Sequence, residues 1–501
     1  MKDEVEWRFA RCFSTRRRPI FFILPRCAAR LRPGAVSQSL GSSFILPAVR
    51  PRVVHAILLL LTLTALAVCW SGLPMIWDGA YQFAATLYFQ EPYVYLTRFH
   101  TWALWQPLVV LSRHTENFTL LTCAFGLPFC LAPAVSLGVS WWMVRRHAPG
   151  LMLWAVFGVC AAGLPGQVFI INDSMWQQTL IWPVLLGALV PTARVQRAAL
   201  ALLGVCQLPH QAGVLLLGVA LGAALLVRPR ESGARVDWNV KVAALALLLA
   251  LAGAKAVWTS MPGGAQYDSY AAQQATWGAA AQMWREGVAG MPLLGLACMW
   301  VAGGLAAWRR GRAWMLVAVA LAAGAGVVWL GWNAAPERWS SAIHYRRWVV
   351  PLAAPFFALA VFEARRRRTP AFDRSALAAT VATIFALVLL MQAATWRLLT
   401  TRLVAAMDAQ PSVLVPHGAM DIAGLRGTPM DHWGVTCYAM ALQGKVPRKY
   451  LAFDPECAAA LDAAPPMAAL WKSRLVPLAP GPAGWFDHRP MLGELLRERG
   501  R

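Results

Sequence analysis

The stretch VVHAILLLLTLTALAVCWSGL, residues 53–73, decides the fold. About 20 consecutive apolar residues are enough for one helix to cross a bilayer. PMIWDGAYQ, residues 74–82, follows directly and carries Asp78 to the expected membrane surface among Trp70, Trp77 and Tyr81. Such aromatic side chains favour the water–lipid boundary. A carboxylate at the mouth of a membrane helix is costly and calls for a role or a partner. Capping of the next helix, or simple solvation, accounts for Asp78 as well as a chemical role does.

Composition extends this reading to the whole chain. Of 501 residues, 58% are hydrophobic and only 14% charged, which marks a polytopic membrane protein. The net charge of +23 comes from short Lys and Arg clusters between apolar runs, where they set topology and meet anionic lipid. No basic stripe interleaved with aromatics runs along the sequence, so a nucleic-acid partner is not expected. Residues 1–52 are Arg-rich and read as a disordered cytoplasmic tail without a cleavable signal.

Hydropathy predicts about eleven spans: 53–73, 118–144, 151–171, 179–190, 198–206, 212–227, 240–258, 291–308, 313–332, 349–362 and 376–396. The Arg-rich loops after the even-numbered spans share the side of the basic tail, which makes that side cytoplasmic. The odd-numbered loops then face outward, and the first of them, rich in aromatics, reads as short helices lying on the membrane surface. Residues 53–396 form the expected transmembrane domain, and residues 397–501 a small extracytoplasmic domain. In the latter, Val413-Leu414-Val415-Pro416 reads as a buried strand and residues 435–442 as a helix. The fold class expected is therefore an all-α polytopic membrane protein with a small α/β extracytoplasmic C-terminal domain. Cys437 and Cys457 are the two cysteines of the polar C-terminal segment and are candidates for a disulfide outside the cell.

On this topology the unusual polar residues gather on the outward side. Asp78 and Asp173 each sit just past an outward helix end, and paired carboxylates at a wet interface suit general-base work. The sequence Asn172-Asp173-Ser174 equally suits a helix cap. His344, Arg346 and Arg347 present imidazole and guanidinium donors close together, fit for phosphate or for snorkelling beside Trp348. Tyr81, Gln82 and His210 complete the candidates for substrate binding, although His210, in Leu208-Pro209-His210-Gln211, also reads as a turn residue. Lys255 stands out as an intramembrane cation.

An outward first loop bearing Asp78, a second acidic position at Asp173, about eleven spans and a closing outer domain resemble the GT-C superfamily of membrane glycosyltransferases. The resemblance implies an inverting transferase that uses a polyprenyl-phosphate-linked sugar donor, with Mg or Mn as the candidate divalent cation, and a glycan, lipid or protein acceptor in the cell envelope. It implies Asp78 as general base, Asp173 as second acidic site, and Arg346 or Arg347 on the lipid phosphate. The many Ala, Arg and Trp residues point to a bacterial inner membrane, and the charge bias of the loops then puts the C-terminus in the periplasm. Gly79 stands where the protein mannosyltransferases of that superfamily carry Glu after Asp, and Asp431-His432-Trp433 does not match the Trp-Trp-Asp of oligosaccharyltransferases. A surface-polysaccharide ligase or polymerase centred on His344 to Arg347, or a lipid-linked sugar flippase, are the competing expectations. The chain shows no Gly-rich phosphate loop that would bind a nucleotide.

Overall fold

The computed structural model describes residues 49–93, 99–163, 170–210, 212–227, 232–260, 349–366, 374–416, 418–428, 430–431, 434–451, 483–487 and 489–498. All belong to one compact unit running from Leu46 to Arg501. The structure is mostly helical, and among the described residues four helices are long and apolar enough to cross a membrane.

The first of these, α1 (Pro51–Ser71), opens on Pro51, whose fixed φ suits a first helical turn and whose missing N–H costs nothing there. It stops at Gly72, which takes a left-handed φ of 81°. Leu59, Leu63, Leu66 and Trp70 on α1 are exposed, at helical spacing, as a lipid-facing stripe requires. After a 3-10 turn at Leu73–Met75 comes α2 (Asp78–Phe89), then the short helices α3 (His100–Leu104) and α4 (Gln106–Ser112).

Of the three, α2 is largely buried, while Phe89, Phe99, Trp102 and Val110 are exposed apolar side chains of this stretch. Gly79, Ala80 and Gln82 to Leu87 are all buried, as are Leu108, Val109 and Ser112, because other elements cover them. The second long span, Phe118–Val144, is broken at Leu131 into α5 (Phe118–Cys130) and α6 (Ala132–Val144). Asn117 caps α5 by accepting from the Leu120 N–H at 3.1 Å. The run read as 151–171 is helical through α7 (Met152–Val156) and a π-turn at Phe157–Ala161, and its residues 164–169 lie outside the described residues.

At the centre stands α8 (Asp173–Leu189), in which every residue but Ser174 is buried. It begins six positions before the hydropathy boundary at Thr179. Around it stand α9 (Arg194–Val205), α10 (Ala212–Leu226), α11 (Ser232–Ser260) and α12 (Val349–Arg366). At the π-turn a methyl on Gly158 would fall 1.7 Å from Trp182 Cζ2, so only glycine lets α7 close on the indole of α8. Trp182 in turn stacks on Phe357 at 4.5 Å.

The last long helix, α13 (Ser375–Asp408), starts beside α1, with the Arg50 N–H donating to Ser375 Oγ at 2.9 Å. The two run parallel, and at the far end of α1 the Gly72 turn sits against the Trp396 indole. Beyond Trp396, α13 continues and carries the C-terminal elements: β1 (Leu414–Val415), α14 (Gly418–Ile422), α15 (Val435–Gln443), β2 (Tyr450–Leu451) and α16 (Arg489–Glu498). β1 pairs in parallel with β2, Leu414 opposite Tyr450 and Val415 opposite Leu451. Strand and helix thus fall where the sequence placed them. Cys437 on α15 is a fully buried free thiol, and Cys457 lies outside the described residues.

Two buried ionic networks brace the end of the bundle that carries the basic loops. Asp237 accepts from Arg197 and Lys241 at 2.8 Å each and from Thr192 at 2.9 Å. Lys241 also donates to the Gly187 and Val190 carbonyls at 3.2 and 2.7 Å, capping the C-terminus of α8. Lys241 therefore joins Lys255 as a cation within a spanning helix. In the second network Glu363 receives Arg374 at 2.8 Å and Trp154 Nε1 at 2.8 Å, and Arg374 also reaches the Gly150 carbonyl at 2.9 Å.

Candidate functional site

The opposite end of α8 gathers the polar groups. Asp78 is the first residue of α2, and Asp173 the first of α8, so both carboxylates sit where a helix dipole favours negative charge. The cap of α8 is not Asp173 but Asn172, whose Oδ1 accepts from Ser174 N at 3.0 Å and Met175 N at 3.3 Å. That leaves the Asp173 carboxylate available for another partner.

Asp78 is half-buried and follows a strained residue: Trp77 holds φ 56°, ψ −120°, a region that a side chain bearing Cβ rarely enters. The strain turns the chain sharply from the 3-10 turn into α2. Gly79 is required by the same turn, since a methyl there would fall 1.9 Å from the Pro74 carbonyl oxygen and 3.3 Å from Ile171 Cγ1. The start of α2 is thereby pressed against the residue two before Asp173. Glu in place of Gly79 would not fit.

Asp173 meets a residue that the sequence did not single out. His100 Nε2 lies 2.7 Å from Asp173 Oδ1, and both side chains are buried. The imidazole stacks on Trp176 at 5.0 Å and packs beside Phe129 at 6.4 Å. As a carboxylate Asp173 can only accept, so Nε2 carries the hydrogen, and in the neutral imidazole Nδ1 is left as an acceptor. Nδ1 is buried without a hydrogen-bond partner.

The loop bearing His100 is pinned near the same place. Tyr93 N–H donates to Thr86 Oγ1 at 3.2 Å, Thr101 Oγ1 donates to the Tyr93 carbonyl at 3.3 Å, and the Tyr81 and Tyr93 hydroxyls meet at 3.2 Å. Gln82, one turn along α2 from Asp78, is buried.

One turn below Asp173, Gln177 Nε2 donates to the Gln207 carbonyl at 2.9 Å and so anchors the α9–α10 turn to α8. His210 in that turn accepts the Ala212 N–H on Nδ1 at 3.1 Å and opens α10. Lys255 from α11 donates to the Pro209 carbonyl. His210 therefore does the work of a turn residue, at the same end of α8 as Asp173.

The C-terminal elements cover this end. Tyr438 lies against Gly72, Phe118 and Trp396, and its hydroxyl meets Thr400 Oγ1 at 2.7 Å. Trp485 Nε1 donates to the Ser112 carbonyl at 3.3 Å, Lys445 pairs with Glu116 at 3.5 Å, and α15 packs on α2. Lys449 donates to the Met407, Asp408 and Gln410 carbonyls at 2.7, 3.2 and 2.6 Å, closing the end of α13. Burial pushes the Cys437 thiol up to about 12 and raises Tyr438 above the ordinary phenol range.

His344, Arg346 and Arg347 lie outside the described residues. Among the described residues, no group of three His, Cys, Asp or Glu side chains is placed to hold a metal ion.

Fold and site together define a helical membrane protein in which a buried His–Asp pair and a second helix-opening Asp collect at one end, under an extension of the last long helix. Beyond that class, comparison of the chain with family models, curated proteins and solved structures gives no match.

Proposed function

We propose that the protein is a membrane glycosyltransferase that moves a sugar from a polyprenyl-phosphate-linked donor to a cell-envelope acceptor on the outward face, with Asp78 as general base. The observation that supports it best is the gathering of Asp78, Asp173 and His100 around one end of the central helix. A sugar on a lipid phosphate is already activated, so the protein must take a proton from the acceptor hydroxyl and hold the departing phosphate. Asp78, half-buried at a strained turn beside the start of α8, suits the first task.

Arg346 and Arg347 remain the proposed phosphate ligands, His344 and His210 their neighbours, with a divalent cation as a further possible aid. Residues 397–501 would form the periplasmic cover, and the remaining apolar runs would complete about eleven spans in a bacterial inner membrane. Lys241 and Lys255 both donate to backbone carbonyls, which speaks for structural roles and against a transport path through them.

The reading is tested by comparing Asp78→Asn with wild type, at equal membrane levels, for transfer from a radiolabelled polyprenyl-phosphate sugar pool to envelope acceptors. Loss of a charged base predicts a fall of at least about 100-fold. Transfer at the wild-type rate would remove Asp78 from the mechanism.

A further inference from the structure

We infer that His100, held in one tautomer by Asp173, is the acceptor that recognises a hydroxyl of the transferred sugar. The inference rests on the function proposed above and names the group that reads the donor. Asp173 takes the hydrogen bond from Nε2 at 2.7 Å, which in the neutral imidazole leaves Nδ1 as a lone-pair acceptor. Trp176 stacked on one side and Phe129 beside it hold the ring in place. Nδ1 is excluded from solvent and has no partner, and a buried acceptor left in that condition is costly.

Such an atom selects for ligands that bring an O–H and discriminates against those that lack one, because the unpaired state is penalised again when a deficient ligand binds. A phosphate oxygen, which only accepts, is the wrong partner for Nδ1, so the lipid phosphate is excluded there and the sugar is favoured. Access requires movement of α3, which is only five residues long and is tied to its surroundings through Thr101–Tyr93 and His100–Asp173. Asp173 acts through His100 and is a positioning residue.

Two substitutions isolate the atom. His100→Gln keeps an N–H donor at the Nε2 position toward Asp173 and removes Nδ1. Asp173→Asn keeps the shape but can donate to Nε2, which moves the imidazole hydrogen to Nδ1 and turns the acceptor into a donor. The probes are a short-chain polyprenyl phosphate carrying a hexose and the same lipid phosphate without sugar, with binding measured on the purified full-length protein.

Wild type is expected to bind the sugar-bearing lipid more tightly by about tenfold, the size of one buried hydrogen bond. His100→Gln is expected to lose that margin while binding the bare lipid phosphate as wild type does, and Asp173→Asn, whose Nδ1–H can donate to a phosphate oxygen, is expected to narrow it by binding the bare lipid phosphate more tightly. Retention of the margin in His100→Gln overturns the inference, and so does equal weakening toward both lipids, which makes the pair a brace for the fold. If wild type binds neither lipid, the proposed function itself falls and the inference with it; if it binds both alike, only the inference falls.

Discussion

Single residues at the covered end of the bundle are set by what presses on them. Asp78 and Asp173 were visible in the sequence as polar residues beside apolar runs, whereas His100 was not. Its partner lies 73 positions away, and nothing in the string His100-Thr101-Trp102 distinguishes a buried imidazole from a loop residue. Gly79, which the sequence showed only as a departure from a familiar pattern, has its reason in the 1.9 Å approach of the Pro74 carbonyl.

Cys437 makes the packing of the same end measurable. Its thiol, ordinarily near 9, is pushed up to about 12 by burial. The folded state therefore holds this proton more tightly than the unfolded one. The associated stability is intact below pH 9 and is lost as pH rises from 9 toward about 12. Maleimide labelling of Cys437 in the folded protein should be negligible at neutral pH and climb steeply through that alkaline window. Rapid labelling at pH 7 would mean that α15 is not seated on the bundle.

Among elements, the four helices with strong, continuous hydropathy were legible as helices: α1 and the run 118–144 were bounded to within two residues, whereas α11 starts eight residues before 240 and α13 runs twelve beyond 396. α8 was less legible. Asp173, Gln177 and Gln178 lower its hydropathy and read as loop, yet they are buried within the first turns of a helix that other helices surround on all sides. A helix with no exposed face has no amphipathic period to read. Its start is capped by the adjacent Asn172, a signal the sequence carried, and its end by Lys241 from α11, so the far boundary alone was decided by a tertiary partner.

Lys241→Met should leave the part-buried Asp237 with one cation fewer and the last carbonyls of α8 unsatisfied. A loss of about 3 kcal/mol is expected, read as a lower unfolding midpoint in detergent. An unchanged midpoint would show that Arg197 alone suffices.

At the scale of the whole molecule, the charge bias of the loops and the direction of the helices agree. α1 and α13 begin together, and the Asp237 and Glu363 networks lie at the end of the bundle where the basic loops are, opposite His100, Asp173 and the C-terminal elements. Single cysteines in a cysteine-free background, one at Gln410 and one at Arg146, should be reached by a membrane-impermeant maleimide from opposite sides in intact cells. Labelling of both from one side would overturn the arrangement. The burial of α2 belongs to the same scale: α15 packs on it from a segment more than 300 residues further along the chain, a contact that the local sequence could not show.

The length of α13 carries a consequence for how the protein senses its host lipid. Its first turns are matched to α1, whereas its overhang from Arg397 to Asp408, roughly 18 Å of helix, is gripped by Lys449 and, at Thr400, by Tyr438. The same C-terminal elements are fastened independently to the top of α1 and to the first outward loop through Tyr438, Trp485 and Lys445. A bilayer whose thickness forces α13 to lean by about 10° relative to α1 would carry the tip of the overhang sideways by roughly 3 Å. The cover would then be pulled by one anchor and held by the other, so acyl-chain length acts on the mouth of the site as a mechanical load.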